Sequence, residues 1–314
     1  MPNNANVVLH QLTASLHPAA DGPNKPAMSE RPPPAIFDRK LYAVRRARAA
    51  PSFDAFDFLH RRAMSDIVQR LEIVKRDFPR ALFYGAGELT SLISETCGVG
   101  EITHADLSRQ RLTGAGTKLV YDEEFAPLAP HSFDLIVSVL TLHHANDLVG
   151  ALAQMRHALK PDGLMLAVMF GEETLAALRQ ALYAAETEIS GGVSARIAPF
   201  AAVRDLGAAL QRAGFALPVA DVDRVEIAYR DPARLFADLR GMGETSVLAR
   251  RAKSLRRAVL GAAVQRLADG PPVRFDLVTL TGWAPHESQQ KPARRGSATH
   301  SLAAAVAGEI NEPD

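Results

Sequence analysis

Two glycines and one carboxylate are spaced as at the nucleotide-binding edge of an α/β sheet. The turn Tyr84-Gly85-Ala86-Gly87-Glu88 follows a short apolar run and precedes a segment predicted to be helical. Such a turn places backbone N–H groups and the positive end of a helix where an anionic or polar ligand can bind. Asp106 follows about 20 residues later, where an acidic side chain commonly hydrogen-bonds ribose hydroxyls. The spacing therefore predicts a ribose-containing cofactor.

Two adjacent histidines, His143 and His144, come directly after the fourth predicted strand. Imidazole is well suited to move a proton near neutral pH, so both are candidate catalytic residues. The alternative is that they only shape the pocket wall. Glu172, after the fifth predicted strand, is a candidate substrate contact; its alternative role is to cap a helix starting near Thr174.

The segment His104-Ala105-Asp106 spells half of a non-haem iron motif. Such a centre requires two histidines and one carboxylate on one face. Because Asp106 is already assigned to the ribose, we interpret the match as accidental. The sequence predicts no metal site.

Between Pro79 and Ala284, short β-rich runs alternate with helical stretches, which is typical of a parallel α/β sheet. The last two strands have no crossover helix inside either run, so we expect an antiparallel closing pair. Predicted helices at Pro232–Gly241 and about Leu248–Ala268 would form a cap over the cofactor edge. The seven predicted strands are Ala81–Tyr84, Glu101–Asp106, Lys118–Asp122, Phe133–Leu140, Leu164–Phe170, Val219–Tyr229 and Val273–Trp283.

The chain divides into four predicted regions. Residues 1–34 are proline-rich and read as a disordered extension, within which Met28 is an alternative start. An N-terminal helical arm at 35–78 carries Arg45, Arg46 and Arg48, interpreted as a solvated helix face rather than a grip for an acidic partner. The predicted regions that follow are the sheet domain at 79–285, with its helical cap at about 231–269, and a basic polar tail at 286–314.

The composition is that of an ordinary globular protein, with 47% apolar residues and a formal net charge of +1. The balanced charge gives no reason to expect nucleic acid as a partner. A single cysteine, Cys97, excludes an internal disulfide and fits a reducing compartment, so we expect a cytoplasmic protein. No apolar run is long enough to span a bilayer, so any contact with the inner face of the cytoplasmic membrane would be peripheral.

Three further segments resemble the class I S-adenosylmethionine (SAM) dependent methyltransferases. They are Phe133-Asp134-Leu135-Ile136-Val137, the following Leu142-His143-His144, and Leu159-Lys160-Pro161-Asp162-Gly163-Leu164. The resemblance implies a Rossmann-like seven-stranded sheet with SAM as cofactor, and an acidic side chain after the third strand that binds the adenine amino group. It assigns SAM to these residues: Gly85, Ala86, Gly87, Asp106, Leu107, Asp122, Glu123, Val139 and Leu140.

The glycine turn departs from the pattern of that superfamily. Phe83 stands where an acidic residue usually binds the SAM amino group, and Leu89 where a third glycine is usual. Losing the acidic partner weakens binding by about 1–3 kcal/mol unless Glu88 substitutes. A nicotinamide dinucleotide enzyme is a remote alternative, because Thr90 replaces the third glycine of its fingerprint.

From Ile36 to about Thr299 the chain is similar to one family in particular, the bacterial relatives of mitochondrial complex I assembly factor 5, which lie near the malonyl-carrier-protein methyltransferases. The resemblance implies a SAM-fold protein that assists complex I assembly, with arginine hydroxylation on the quinone-site iron–sulfur subunit described for the mitochondrial member. The segments that carry it include Asp122-Glu123-Glu124-Phe125, Asn146-Asp147-Leu148, Ala185-Glu186-Thr187-Glu188, Gly241-Met242-Gly243-Glu244 and His286-Glu287-Ser288-Gln289.

Three basic side chains are candidate substrate or partner contacts: Arg196, His286 and Arg295. The alternative for Arg196 is an idle surface arginine, and the tail carrying the other two either folds over the substrate mouth or extends into solvent. We expect a methyltransferase-type enzyme that modifies a protein substrate. The alternatives are an arginine hydroxylase, a non-catalytic assembly factor, or a methyltransferase acting on a carrier-linked malonyl group.

Overall fold

Seven strands form one mixed sheet in the computed structural model, which describes residues 35–250 and 252–290. The spatial order is β3-β2-β1-β4-β5-β7-β6, with β1 to β5 parallel and β7 antiparallel to both of its neighbours. This confirms the predicted Rossmann-like class and its antiparallel closing pair. The strands are β1 Phe78–Tyr84, β2 Val99–Asp106, β3 Thr117–Val120, β4 Phe133–Val139, β5 Leu159–Phe170, β6 Ala216–Ile227 and β7 Val273–Trp283.

Helices cover both faces of the sheet. One core packs α2, α4, α6 and α7 against β1, β4, β5 and β7, and the other packs α3 and α5 against the opposite face. In α2 the buried residues recur at helical spacing, as in Leu59, Ala63 and Ile67, so one stripe faces the sheet. The helices are α1 Arg39–Ala49, α2 Phe58–Val74, α3 Leu148–Ala158, α4 Ala176–Ser190, α5 Val203–Arg212, α6 Pro232–Met242 and α7 Arg257–Ala268.

The direction of strand addition reverses between β1 and β4, which are neighbours in the sheet. In open α/β sheets ligands bind in the crevice outside the carboxyl ends of the strands at such a reversal. The turns after β1, β2 and β4 all end at this edge, which we call the switch edge. It brings Gly85, Asp106 and Leu140 together.

Two helix predictions were wrong. The segment after the glycine turn forms a short 3-10 helix at Gly87–Leu92 instead of an α-helix, so the predicted helix dipole is not available to a ligand. The helix predicted from Leu248 begins at Arg257. Leu248 instead forms a β-bridge with Phe37, and Ala249 N–H donates to the Ile36 carbonyl, so this backbone is held extended by the arm.

The predicted arm is two helices joined by a 3-10 segment, Ala50–Ala55. The first of them, α1, lies across the switch edge, and α2 packs against the same face of the sheet as α4, α6 and α7. The start of the predicted tail lies at the opposite edge, where Gln289 Nε2 donates to Asp162 Oδ1 and to the Ala284 carbonyl. Residues 1–34 and most of the tail, with Arg295, lie outside the described residues. Within the described part of the chain, no helix is long and apolar enough to cross a membrane.

Candidate active site

The glycine turn is shaped by close packing at the switch edge. Gly85 has φ +78°, and a Cβ there would lie 2.6 Å from Thr141 Cγ2 and 2.7 Å from the Val139 carbonyl oxygen. Gly87 also adopts positive φ, at +55°. Glycine is required at position 85 both by its conformation and by lack of space. Ala86 between the two is fully buried.

Asp106 ends β2, as predicted for a ribose ligand, but in this structure it binds a guanidinium of the arm. Arg46 Nε donates to Asp106 Oδ1 at 2.9 Å, and Arg46 Nη2 donates to Oδ2 at 2.5 Å. Both side chains are only 1% exposed. The interpretation of Arg46 as part of a solvated face is therefore wrong, whereas Arg48 on the same helix is exposed.

A second arm arginine binds the carboxylates that follow β3. Arg39 Nη2 donates to Asp122 Oδ1 at 2.8 Å and to Glu123 Oε2 at 2.7 Å, and its Nη1 donates to the His144 carbonyl at 3.0 Å. Glu123 is buried, and its Oε1 has no hydrogen-bond partner among the described residues. The arm thus pairs all three acidic residues assigned to the cofactor, Asp106, Asp122 and Glu123, with arginines.

The remaining predicted cofactor residues also lie at this edge, beneath or beside the arm. Val139 and Leu140 are fully buried, and the buried Tyr42 hydroxyl oxygen of α1 lies 3.4 Å from the Leu140 carbonyl oxygen. Leu107 packs against the small core that includes Tyr42. The glycine turn and carboxylates match SAM in type and place, but the guanidinium groups of Arg39 and Arg46 now bind those carboxylates. Entry of SAM therefore requires α1 to release them.

The histidine pair meets a glutamate that sequence reasoning did not select. His143 and His144 lie in a 3-10 turn after β4, and His143 Nε2 donates to Glu244 Oε2 at 2.9 Å. His144 Nδ1 lies 3.7 Å from the same oxygen. Glu244 follows the left-handed Gly243 that ends α6, and its N–H donates to the Leu239 carbonyl. The segment Gly241-Met242-Gly243-Glu244 belonged to the family resemblance, but nothing local connected it to the histidines.

The protonation states of this cluster are set by burial and by each other. Burial raises the pKa of Glu244, but its electrostatic interaction and hydrogen bond with His143 outweigh burial and leave that pKa below its usual value. Burial holds the pKa of His144 well below its usual value, and His143 lowers it further. At neutral pH the glutamate is therefore ionised and His144 is neutral.

An apolar cavity of about 240 Å³ opens beside this cluster. His144 and Glu244 form part of its wall, and most of the rest is hydrophobic. Its apolar lining includes Phe170, Leu175, Leu178, Phe200, Phe236 and Phe275. An aliphatic stem with a polar end fits such a site: the stem contacts the apolar wall and the end reaches the His/Glu cluster.

The predicted substrate contacts have different outcomes. Arg196 lines the cavity, but Glu186 holds its guanidinium at 2.6 Å, so it is not an idle surface residue. Glu172 is exposed, lies outside the cavity lining and does not cap α4, whose N-cap is Leu175. His286 is exposed at the edge opposite the cluster, so it does not cover the substrate mouth.

Among the residues that the structure describes, the half-motif at His104 belongs to no group of metal-binding side chains. Asp106 is bound to Arg46, and His104 lies against Gly114 and Gly116. Among the described residues, the group able to hold a metal ion is His143, His144 and Glu244 instead.

Comparison with known proteins gives a consistent set of relatives. Residues 84–167 match the family described as "Methyltransferase domain". The chain is 40% identical over 285 residues to "Arginine-hydroxylase NDUFAF5, mitochondrial" of Mus musculus, covering 85% of this chain and 82% of that protein. The Homo sapiens protein of the same name is 40% identical over 294 residues, covering 88% and 84%. A "Malonyl-[acyl-carrier protein] O-methyltransferase" of Xylella fastidiosa is 30% identical over 271 residues, covering 80% and 89%.

Proposed function

Because this chain belongs to the NDUFAF5 family of arginine-hydroxylases, we propose that it is an enzyme that modifies an arginine side chain of a protein substrate during assembly of respiratory complex I. The proposed substrate is the quinone-site iron–sulfur subunit. The proposed location is the cytoplasm, with peripheral contact at the inner face of the cytoplasmic membrane. The observation that carries the proposal is the apolar cavity beside Glu244.

An arginine side chain has the chemistry that this cavity accepts. Its aliphatic stem would lie against Phe170, Leu178 and Phe200, and its guanidinium would reach the carboxylate of Glu244. The positive charge of Arg196 does not oppose this, because Glu186 already neutralises it. Arg240, which also lines the cavity, is exposed, so solvent screens its charge.

SAM is the proposed cofactor, and bound at the switch edge it would supply an electrophilic methyl group. Asp106 would bind the ribose and Asp122 the adenine amino group, once Arg46 and Arg39 release them. His144, neutral and buried at the cavity wall, would accept a proton from a reacting substrate nitrogen. His143 would hold Glu244 in position through their hydrogen bond.

The chemical modification of the substrate arginine is identified by mass spectrometry. The quinone-site subunit would be isolated from cells with and without this protein, and from deleted cells carrying the Glu244→Gln variant. We expect one arginine to carry an added oxygen or methyl group only when the wild-type protein is present. Glu172→Gln is the matched control, because Glu172 is exposed and lies outside the cavity. An added oxygen would identify a hydroxylase, and a methyl group a methyltransferase.

A non-catalytic platform is the second candidate, favoured by the closed arm with its buried Arg46–Asp106 pair. Two results together would establish it in place of the enzyme. One is an arginine with the same mass in cells with and without the protein. The other is calorimetry showing no heat with S-adenosylhomocysteine at millimolar concentration.

A further inference from the structure

We propose that His143, His144 and Glu244 bind a divalent first-row transition-metal ion. The donor set is two imidazoles and one carboxylate, and one atom of each lies within 4.8 Å of the others. This goes beyond the proposed function: with the ion bound, His144 and Glu244 would be its ligands in place of proton acceptor and guanidinium partner, and binding of the ion is measurable whatever substrate the chain modifies. It also revises the prediction of no metal site, which was made without Glu244.

The spacing of the three donors is close to that of a bound ion. Metal–ligand bonds of about 2.0–2.2 Å at tetrahedral or octahedral angles place ligand atoms about 3.0–3.5 Å apart. The distances to Glu244 Oε2 are 2.9 Å from His143 Nε2 and 3.7 Å from His144 Nδ1. All three donor atoms lie within 4.8 Å of one another, so binding one ion would require them to draw closer together.

His144 supplies an independent indication. Its Nδ1 is buried and has no hydrogen-bond partner among the described residues. A buried polar atom left unpaired costs about 1–3 kcal/mol, so native structures rarely retain one without a use. Coordination to a metal would satisfy this nitrogen, and the hydrogen bond between His143 and Glu244 does not reach it.

The local charge also permits a cation. Two guanidinium groups of α1 interact with His144, but Arg46 is neutralised by Asp106 and Arg39 by Asp122 and Glu123. Arg111, outside the arm, also interacts with Glu244, and burial lowers its pKa to about 9. Tyr42 donates its hydroxyl to Glu244 Oε1 at 3.3 Å, leaving Oε2 for the ion and orienting the carboxylate. The arm therefore supports the metal ligands without adding unpaired positive charge.

The remaining coordination positions would face the apolar cavity, since His144 and Glu244 form part of its wall. A site with three protein ligands and open positions is reactive rather than structural. Two histidines and a carboxylate on one face is the donor set of mononuclear non-haem iron(II) sites. Iron(II) is therefore the ion we expect in the cell, with cobalt(II) and zinc(II) as convenient probes.

The experiment uses the full chain without a histidine tag, stripped with a chelator and titrated with cobalt(II) under anaerobic conditions. We expect one cobalt per chain, read by elemental analysis and by new visible absorption, with competition by zinc(II) and iron(II). His144→Ala and Glu244→Gln should each weaken cobalt binding by at least about 100-fold. His157→Ala, an exposed histidine outside the cluster, should bind like the wild type.

Circular dichroism of each variant guards against unfolding, and if Glu244→Gln does not fold, His144→Ala alone decides. The proposal is overturned if the wild-type chain holds no stoichiometric cobalt, or if His144→Ala binds it as tightly as the wild type. Arginine modification in cells that persists when the metal is shown not to bind would overturn the metal site and leave the proposed function standing.

Discussion

The arm arginine Arg46 should control access to the cofactor site. In the closed structure it donates two hydrogen bonds to Asp106, and both side chains are buried. SAM or S-adenosylhomocysteine can use Asp106 only in the fraction of molecules whose arm has released it. The observed affinity is reduced by that fraction.

The size of the effect follows from the bonds that must be exchanged. A hydrogen bond to a charged group contributes about 1.5–3 kcal/mol net, and ribose hydroxyls would restore part of what Asp106 loses when Arg46 leaves. We take about 1.5–3 kcal/mol as the net cost of replacing the Arg46–Asp106 hydrogen bonds by those of the ribose. Arg46→Ala removes this cost and should tighten S-adenosylhomocysteine binding by about 10- to 150-fold. Arg46→Lys keeps the charge but not the bidentate geometry, so its affinity should lie between those of Arg46→Ala and the wild type.

The assay is isothermal calorimetry with S-adenosylhomocysteine, with Arg48→Ala as the control because Arg48 is exposed on the same helix. Arg46→Ala also leaves Asp106 buried without its partner, which should lower the free energy of unfolding by about 3–5 kcal/mol. Urea unfolding measures that loss separately. The reasoning fails if a folded Arg46→Ala protein binds within twofold of the wild type, or if Arg48→Ala gains as much affinity.

Three other substitutions test separate features. Gly85→Ala should destabilise the chain by about 2 kcal/mol or more in urea unfolding, since φ is +78° and the new methyl group would meet Thr141; an unchanged midpoint would contradict the packing of the turn. Burial keeps the pKa of His60 well below 6.5, so the unfolded chain takes up a proton more readily as the pH falls. Between about pH 7.5 and 5.5 the wild type should therefore lose about 1.4 kcal/mol more unfolding free energy than His60→Leu; parallel losses would refute this. Leu178→Trp should fill the cavity and abolish arginine modification, measured by mass spectrometry, while leaving S-adenosylhomocysteine binding unchanged. Full modification by this variant would show that the substrate arginine does not bind in the cavity.

Several elements followed from local pattern alone. The strand Val273–Trp283 has the predicted bounds, and β4 differs by one residue, because alternating or continuous apolar runs report burial directly. Other ends were wrong by a few residues: β5 begins at Leu159 rather than Leu164, pairing Leu159 with Phe133 across an irregular stretch. Pro161 and Gly163 lie in this first part of β5, and both residues have low strand propensity, so the local sequence did not predict it.

The short 3-10 segments were not foreseeable from periodicity. After the glycine turn, the residues Leu89, Leu92 and Ile93 have helical spacing, yet the chain forms only a 3-10 helix before Ile93 returns to extended backbone. The helix expected from Leu248 failed for a different reason, since its first residues bond to Ile36 and Phe37, far away in sequence. Here local helix propensity is overridden because a segment distant in sequence supplies the backbone hydrogen-bond partners.

The sequence by itself determined the α/β class, the switch edge, and the positions of Gly85 and Asp106, because strand alternation and turn chemistry are local properties. Only the tertiary structure decided what those residues contact. Arg46 reaches Asp106 across 60 residues and Glu244 reaches His143 across 101, and both pairs exist because the arm and α6 pack onto the same edge. Contacts between segments so far apart depend on packing geometry, which no periodicity in the chain encodes.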